Sequence, residues 1–138
     1  IRRQRQMCIR DSLLSDLIYK GVVPVMAPLT HDGEGNMLNT NADTIAGETA
    51  KALAQLFDVT LVFCFEKKGV LRDENDDDSV IPQITPAEFN QYVADGIIQG
   101  GMIPKLENSF EAINAGVSEV VITLASAING DSGTRIKK

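Results

Sequence analysis

Three short apolar runs, at residues 22–29 (VVPVMAPL), 59–65 (VTLVFCF) and 120–124 (VVITL), are separated by stretches whose apolar and small residues recur with helical period. Apolar runs of this length suit strands covered on both faces, and strands that alternate with helices need crossover connections. The pattern predicts an α/β sandwich built on a mostly parallel sheet. Pro24 counts against a central place for the first run, because proline cannot donate to a sheet ladder. A short last strand is predicted at residues 133–136, and a hairpin over 29–38 that turns at the D-G-E-G-N cluster of residues 32–36.

The helical stretches carry start and stop signals. Leu13, Leu14, Leu17 and Ile18 share one face ahead of Gly21. Ala42, Ile45, Ala46, Thr49, Ala50, Leu53 and Leu56 form a second face, and its small first half predicts close packing against a sheet. Asn39 or Asn41 can cap that helix, and Asp43 suits the positive end of its dipole. Thr85-Pro86-Ala87-Glu88 reads as a capping box with proline at the first helical position, in a helix that stops at Asp95-Gly96. Another helix follows Gly100-Gly101, with Leu106, Phe110 and Ile113 on one face and Gly116 as its stop.

Composition narrows the function. At 138 residues and 43% hydrophobic, the chain is long enough for one domain with a real core. A net charge of −6, 5% aromatic content and the absence of tryptophan argue against a nucleic-acid partner. No apolar run approaches the roughly 20 residues of a membrane helix. Two cysteines, Cys8 and Cys64, cannot build a disulfide framework and suit a reduced compartment, with Cys64 expected as a packed thiol inside its strand. Charge is unevenly placed: residues 1–12 carry +3 and the rest −9, so residues 1–12 are expected to be a non-native leader.

Most polar features read as surface. His31 lies beside a turn without a companion ligand. Residues 72–79 (RDENDDDS) form a solvated acidic loop; Asp73, Asn75 and Asp77 have calcium-loop spacing, but Asp78 holds the glycine place and Ile84 the bidentate glutamate place, so no metal site is expected. Gly33-Glu34-Gly35 is only a turn. Two places remain. Asn39, Asn41 and Asp43 gather at a strand-to-helix junction, where ligands collect in open α/β sheets. Gly100 and Gly101 precede a helix whose first turn carries Lys105, a cation that the helix dipole does not favour and that an anionic partner would explain.

Residues 39–47 (NTNADTIAG) and 100–105 (GGMIPK), with TPAE at 85–88 and GTRI at 133–136, resemble the second half of the acetylglutamate kinase branch of the amino acid kinase family. The resemblance runs from about Leu13 to the end. It implies that residues 13–138 are the C-terminal ATP-binding half of a three-layer αβα kinase domain. It further implies ATP-dependent phosphorylation of the γ-carboxylate of N-acetyl-L-glutamate, or of a close N-acyl-glutamate such as the succinyl compound, in cytoplasmic arginine biosynthesis. Mg2+ would accompany ATP, and the full-length protein would be a homo-oligomer without nucleic-acid or membrane partners. By resemblance, Lys105 stabilises the transferring phosphoryl group and Asp43 positions catalytic lysines, while Asn39 and Asn41 are substrate-binding. The nucleotide is expected against Glu66, Lys67, Lys68, Gly69, Val70 and Leu71 on one side. On the other it would meet Ile97, Ile98, Gln99, Gly100 and Gly101. The chain departs from the family at Phe65-Glu66, where a Ser/Thr-Asp pair is usual. The glycine-rich phosphate loop and second catalytic lysine of the family's first half do not occur in this sequence, so the chain alone is expected to be inactive. Residues 3–12 (RQRQMCIRDS) resemble a translated sequencing adapter. The competing expectation is a free-standing nucleotide-binding or regulatory module that performs no chemistry, which leaves Asp43 unexplained.

Overall fold

The structure, a computed structural model, describes residues 11–128 and 132–137, so the expected leader lies almost entirely outside the described residues. In chain order the elements are α1 (Asp11–Tyr19), β1 (Leu29–His31), β2 (Met37–Asn39), α2 (Ala42–Leu53) and β3 (Thr60–Phe65). They continue with β4 (Gln83–Ile84), α3 (Pro86–Ala94), α4 (Met102–Asn114), β5 (Glu119–Leu124) and β6 (Thr134–Ile136), with a single 3-10 turn at Ala125–Ala127. The α/β class matches the expectation.

The larger sheet has the order β3-β5-β6-β4. β3 and β5 pair in parallel from Thr60 opposite Glu119 to Phe65 opposite Leu124, with α3 and α4 in the connection between them. β4 is parallel to β6, whereas β6 runs antiparallel to β5 with Ile122 opposite Thr134. The return from Leu124 to Thr134 is too short for a helical crossover, which forces that one antiparallel pairing. The sheet is therefore mixed and mostly parallel. β1 and β2 form the separate hairpin expected at residues 29–38.

Strand period decides which side chains are buried. Leu61 and Phe63 on β3, Val120 and Ile122 on β5 and Ile136 on β6 join one core with Ala50 of α2 and Leu106, Ala112 and Ile113 of α4. α2 packs on β3 and α4 on β5 and β6, while α1 lies against α2, and Tyr19 at the end of α1 meets Phe57, beyond α2, at 5.2 Å between ring centroids. Each large aliphatic side chain buried in this way contributes roughly 1.5–3 kcal/mol.

Three expectations are overturned. α2 ends at Leu53, and Leu56, expected on its packing face, lies beyond the helix and is 52% exposed. Residues 22–28 form no strand: Val23 is 82% and Val25 94% exposed, and sheet pairing begins only at Leu29. Pro24 and Pro28 remove two donors, and no described strand lies alongside to pair with the rest. Cys64 is exposed rather than packed. Its neighbours Phe63 and Phe65 alternate with it across the strand, so the helix-covered face takes Phe63 and leaves the thiol on the other side.

The predicted caps form. Asn41, not Asn39, caps α2 through its side-chain oxygen, which accepts from the backbone N–H of Asp43 and Thr44. Thr85 and Glu88 close the capping box of α3, and these hydrogen bonds hold the Glu88 carboxyl below the ordinary glutamate range.

Gly133, at φ 117°, turns the chain into β6, and a Cβ there would stand 2.7 Å from the Ile122 carbonyl oxygen and 2.9 Å from Thr123 Cβ. Both neighbours belong to the central strand and cannot give way. Gly133→Ala is expected to lower unfolding free energy by about 2 kcal/mol or more in a denaturant titration. An unchanged midpoint would refute the close approach.

Candidate active site

The first half of the site begins at the hairpin. Asp32 holds its turn by accepting from the Glu34 backbone N–H at 2.8 Å and from the Asn36 side-chain amide at 2.7 Å. The Asn36 bond foremost, then the backbone N–H of Glu34, keeps the Asp32 carboxyl below its ordinary range. His31 is exposed, and its Nδ1 accepts from the Gly33 N–H, which accounts for it as a turn residue. Thr30 and Thr40 share a hydroxyl hydrogen bond of 2.7 Å, and the Thr40 N–H donates to the Pro28 carbonyl at 3.0 Å. These bonds lock the hairpin to the start of α2 and so fix where Asp43, in its first turn, can point.

The second half is the start of α4. Lys105 donates from Nζ to Asp43 Oδ2 at 2.7 Å, joining residues 62 positions apart. Its side chain is 13% exposed and that of Asp43 is 33% exposed, so the pair is only partly open to solvent. The ammonium also lies 4.7 Å from the ring centroid of Phe63 on β3. One of its three protons goes to Asp43, which leaves two to meet an incoming oxygen.

Gly100 and Gly101 are exposed, and nothing lies within 4 Å of where a Cβ would stand at either. That open space beside Lys105 suits a bulky anion. The helix end offers fewer donors than the glycine pair suggests. The N–H of Met102 turns back to the Gln99 carbonyl, that of Ile103 to Gly100, and Pro104 has none. Lys105 is thus the principal positive group of this helix start.

The residues expected around a nucleotide fall into two groups. Glu66, Lys68 and Gln99 are exposed with the glycine pair, and Lys67 and Ile97 are half-buried. Val70, Leu71 and Ile98 are instead core residues, exposed by 7% or less. Gly69 serves packing, because a Cβ there would meet Thr134 Oγ1 at 2.8 Å. That hydroxyl accepts from the Val70 N–H and donates to the Ile81 carbonyl, tying residues 69–81 to β6. Lys67 pairs with Asp77 at 3.0 Å and Lys68 with Asp78 at 2.7 Å, so both lysines are engaged by the acidic loop. Asn39 is exposed at the end of β2.

Two contacts had no sequence signal. One is Phe63 beneath Lys105. The other is Arg72, whose guanidinium lies 5.4 Å from the Tyr92 ring centroid and donates to the Tyr92 hydroxyl, fastening the acidic loop to α3. A cleft of about 330 Å³ between residues 24–28, α2 and β3 is lined by Pro24, Met26, Ala46, Ala50 and Leu61 and includes neither Asp43 nor Lys105.

A lysine and an aspartate meet at the starts of two helices of an α/β fold, with an open glycine pair at the head of the second helix. Comparison with known proteins places the chain in a family. The amino acid kinase family model matches residues 5–124. Over 127 residues the chain is 88% identical to the acetylglutamate kinase of Bacteroides thetaiotaomicron, covering 92% of this chain and 49% of that protein. The acetylglutamate kinase of Parabacteroides distasonis is 66% identical over 128 residues, which are 93% of this chain and 50% of that one. A crystal structure from Streptococcus mutans superposes with a TM-score of 0.77 at 32% identity, covering 94% of this chain and 48% of its own. Carbamate kinase from Giardia lamblia bound to AMP-PNP, at 21% identity and a TM-score of 0.66 over 94% of this chain and 50% of its own, shares the fold. The chain belongs to the amino acid kinase family, and it spans about half the length of the curated relatives it matches.

The Lys68–Asp78 pair has a pH signature. Its hydrogen bond and opposite charges hold the Asp78 carboxyl below the ordinary aspartate range and raise the Lys68 ammonium. The stabilisation from Asp78 is present above the ordinary aspartate range and is lost as pH falls through the lowered value. That from Lys68 is present below the ordinary lysine range and is lost as pH rises through the raised value. In a carboxyl-carbon NMR titration, Asp78 is expected to ionise at higher pH in Lys68→Met than in the unsubstituted chain, with the difference shrinking in high salt. Identical titrations would show that the pair does not form.

Proposed function

We propose that residues 13–138 are the ATP-binding, C-terminal half of an acetylglutamate kinase domain. The Asp43–Lys105 pair beside the open glycine pair carries this reading, in a chain 88% identical to an acetylglutamate kinase. The exposed apolar residues Val22, Val23, Val25 and Met26, of which Met26 lines the cleft beside α2 and β3, support the half-domain reading, because a further protein surface would cover such a stretch. The whole enzyme would be a cytoplasmic homo-oligomer acting on N-acetyl-L-glutamate or a close N-acyl-glutamate.

In the reaction so proposed, ATP accompanied by Mg2+ supplies the γ-phosphoryl group to the γ-carboxylate of the substrate. Both reactants are anionic, and in phosphoryl transfer the protein contributes mainly position and charge. Lys105 directs its two remaining protons at the phosphoryl oxygens, and Asp43 fixes the ammonium there. Asn39 and the amide of Asn41 would face the substrate's α-carboxylate; the Asn41 oxygen is committed to capping α2 and cannot serve an anion in any case. Glu66, Gln99, Gly100 and Gly101 offer the exposed surface for the nucleotide, while Val70, Leu71 and Ile98 support it from the core. Lys67 and Lys68 would reach its phosphates only by leaving Asp77 and Asp78.

The 138-residue chain alone is expected to release no ADP when given ATP and N-acetyl-L-glutamate. Substrate-dependent release would overturn the half-domain reading. Exchanging residues 13–138 for the matching part of the Bacteroides thetaiotaomicron enzyme is expected to give an active chimera. In that chimera, Lys105→Ala should lower kcat about 100- to 1,000-fold with a much smaller change in the KM for ATP. Equal losses in both would remove the phosphoryl-stabilising role from Lys105.

A further inference from the structure

We propose that Phe63 is a positioning residue for Lys105, its ring face holding the ammonium in place for the phosphoryl group. The inference rests on the reading of Lys105 just given. Phe63 is 4% exposed, sits in the parallel register opposite Ile122 and belongs to the same core as Leu106, so its ring cannot swing aside. The Lys105 ammonium lies 4.7 Å from the centroid, within the range at which a ring's negative face attracts a cation.

A lysine side chain is a point charge on a flexible four-carbon stem. The single hydrogen bond to Asp43 restrains the ammonium from one direction, from α2. Phe63 restrains it from a second direction, from the sheet. The choice of an aromatic group matters for a site that must receive phosphate. A second carboxylate in that place would take up another ammonium proton and would repel the incoming anion. A ring attracts the cation without a formal charge and without a lone-pair acceptor. The ammonium is therefore held on two sides, and neither the Asp43 hydrogen bond nor the ring takes up its other two protons.

Fluorinated phenylalanines test this, since they weaken the negative ring face at nearly constant shape and so avoid the folding defect that Phe63→Ala would bring. Through the series from phenylalanine to difluoro- and pentafluorophenylalanine at position 63 of the chimera, kcat is expected to fall stepwise, by about 2- to 30-fold in all. The KM values for ATP and N-acetyl-L-glutamate should hold nearly constant. In a Lys105→Ala background the series should have no effect, an outcome that a purely structural role for the ring would not produce. A flat kcat across the series, or an equal decline without Lys105, overturns the proposal. A second measurement does not depend on activity. In the 138-residue chain, the Lys105 ε-methylene protons, assigned by loss in Lys105→Arg, should be shifted upfield by the ring. The shift should vanish in Phe63→Leu and persist in Phe63→Tyr; unshifted signals in the unsubstituted chain overturn the contact itself. A chimera inactive with phenylalanine at 63 but showing the shift would instead remove the kinase reading and leave the contact standing.

Discussion

The site depends on α2 and α4 lying side by side on one face of the sheet. On α2, Ala50 belongs to the core and Ala46 packs against it. Leu106, Ala112 and Ile113 fill the matching space from α4. Once the two helices are seated, their starts come together near the carboxyl end of β3, and Asp43 and Lys105 meet at 2.7 Å. In an open α/β sheet that end is where ligands are held. The same packing that forms the core therefore sets the distance on which the proposed chemistry relies.

The residues just beyond β3 serve two purposes. Gly69, Val70 and Leu71 continue the core, tied through Thr134 to β6, so this segment has a rigid floor. Above it, Lys67 and Lys68 are engaged by the acidic loop, and Arg72 fastens that loop to Tyr92. A solvated charge run is an adequate description of the loop's composition, but its pairing makes it a strap across the lysines.

Several elements were legible because their signals are local. The capping box at Thr85 and Glu88 and the Asn41 cap of α2 involve residues two or three positions apart, and both form as their spacing predicts. Other features were not legible for equally physical reasons. β4 is two residues long and exists through its pairing with β6, so it has no periodicity to read. Residues 22–29 have the composition of a covered strand, yet an apolar run does not supply its own partner. Cys64 shares its apolar run with Phe63 and Phe65, and composition alone could not say which face the helices would cover.

The sequence by itself determined the α/β class, the helix starts and the identity of Asn41, Asp43 and Lys105 as residues of interest, because each follows from period, capping chemistry or a motif read within a few positions. Only the tertiary structure decided that Asp43 and Lys105 are partners and that Phe63 lies beneath the ammonium, and it also separated exposed Glu66 and Gln99 from buried Val70 and Ile98. Those facts are distances between segments far apart in the chain, and they arise from how two helices share one sheet face.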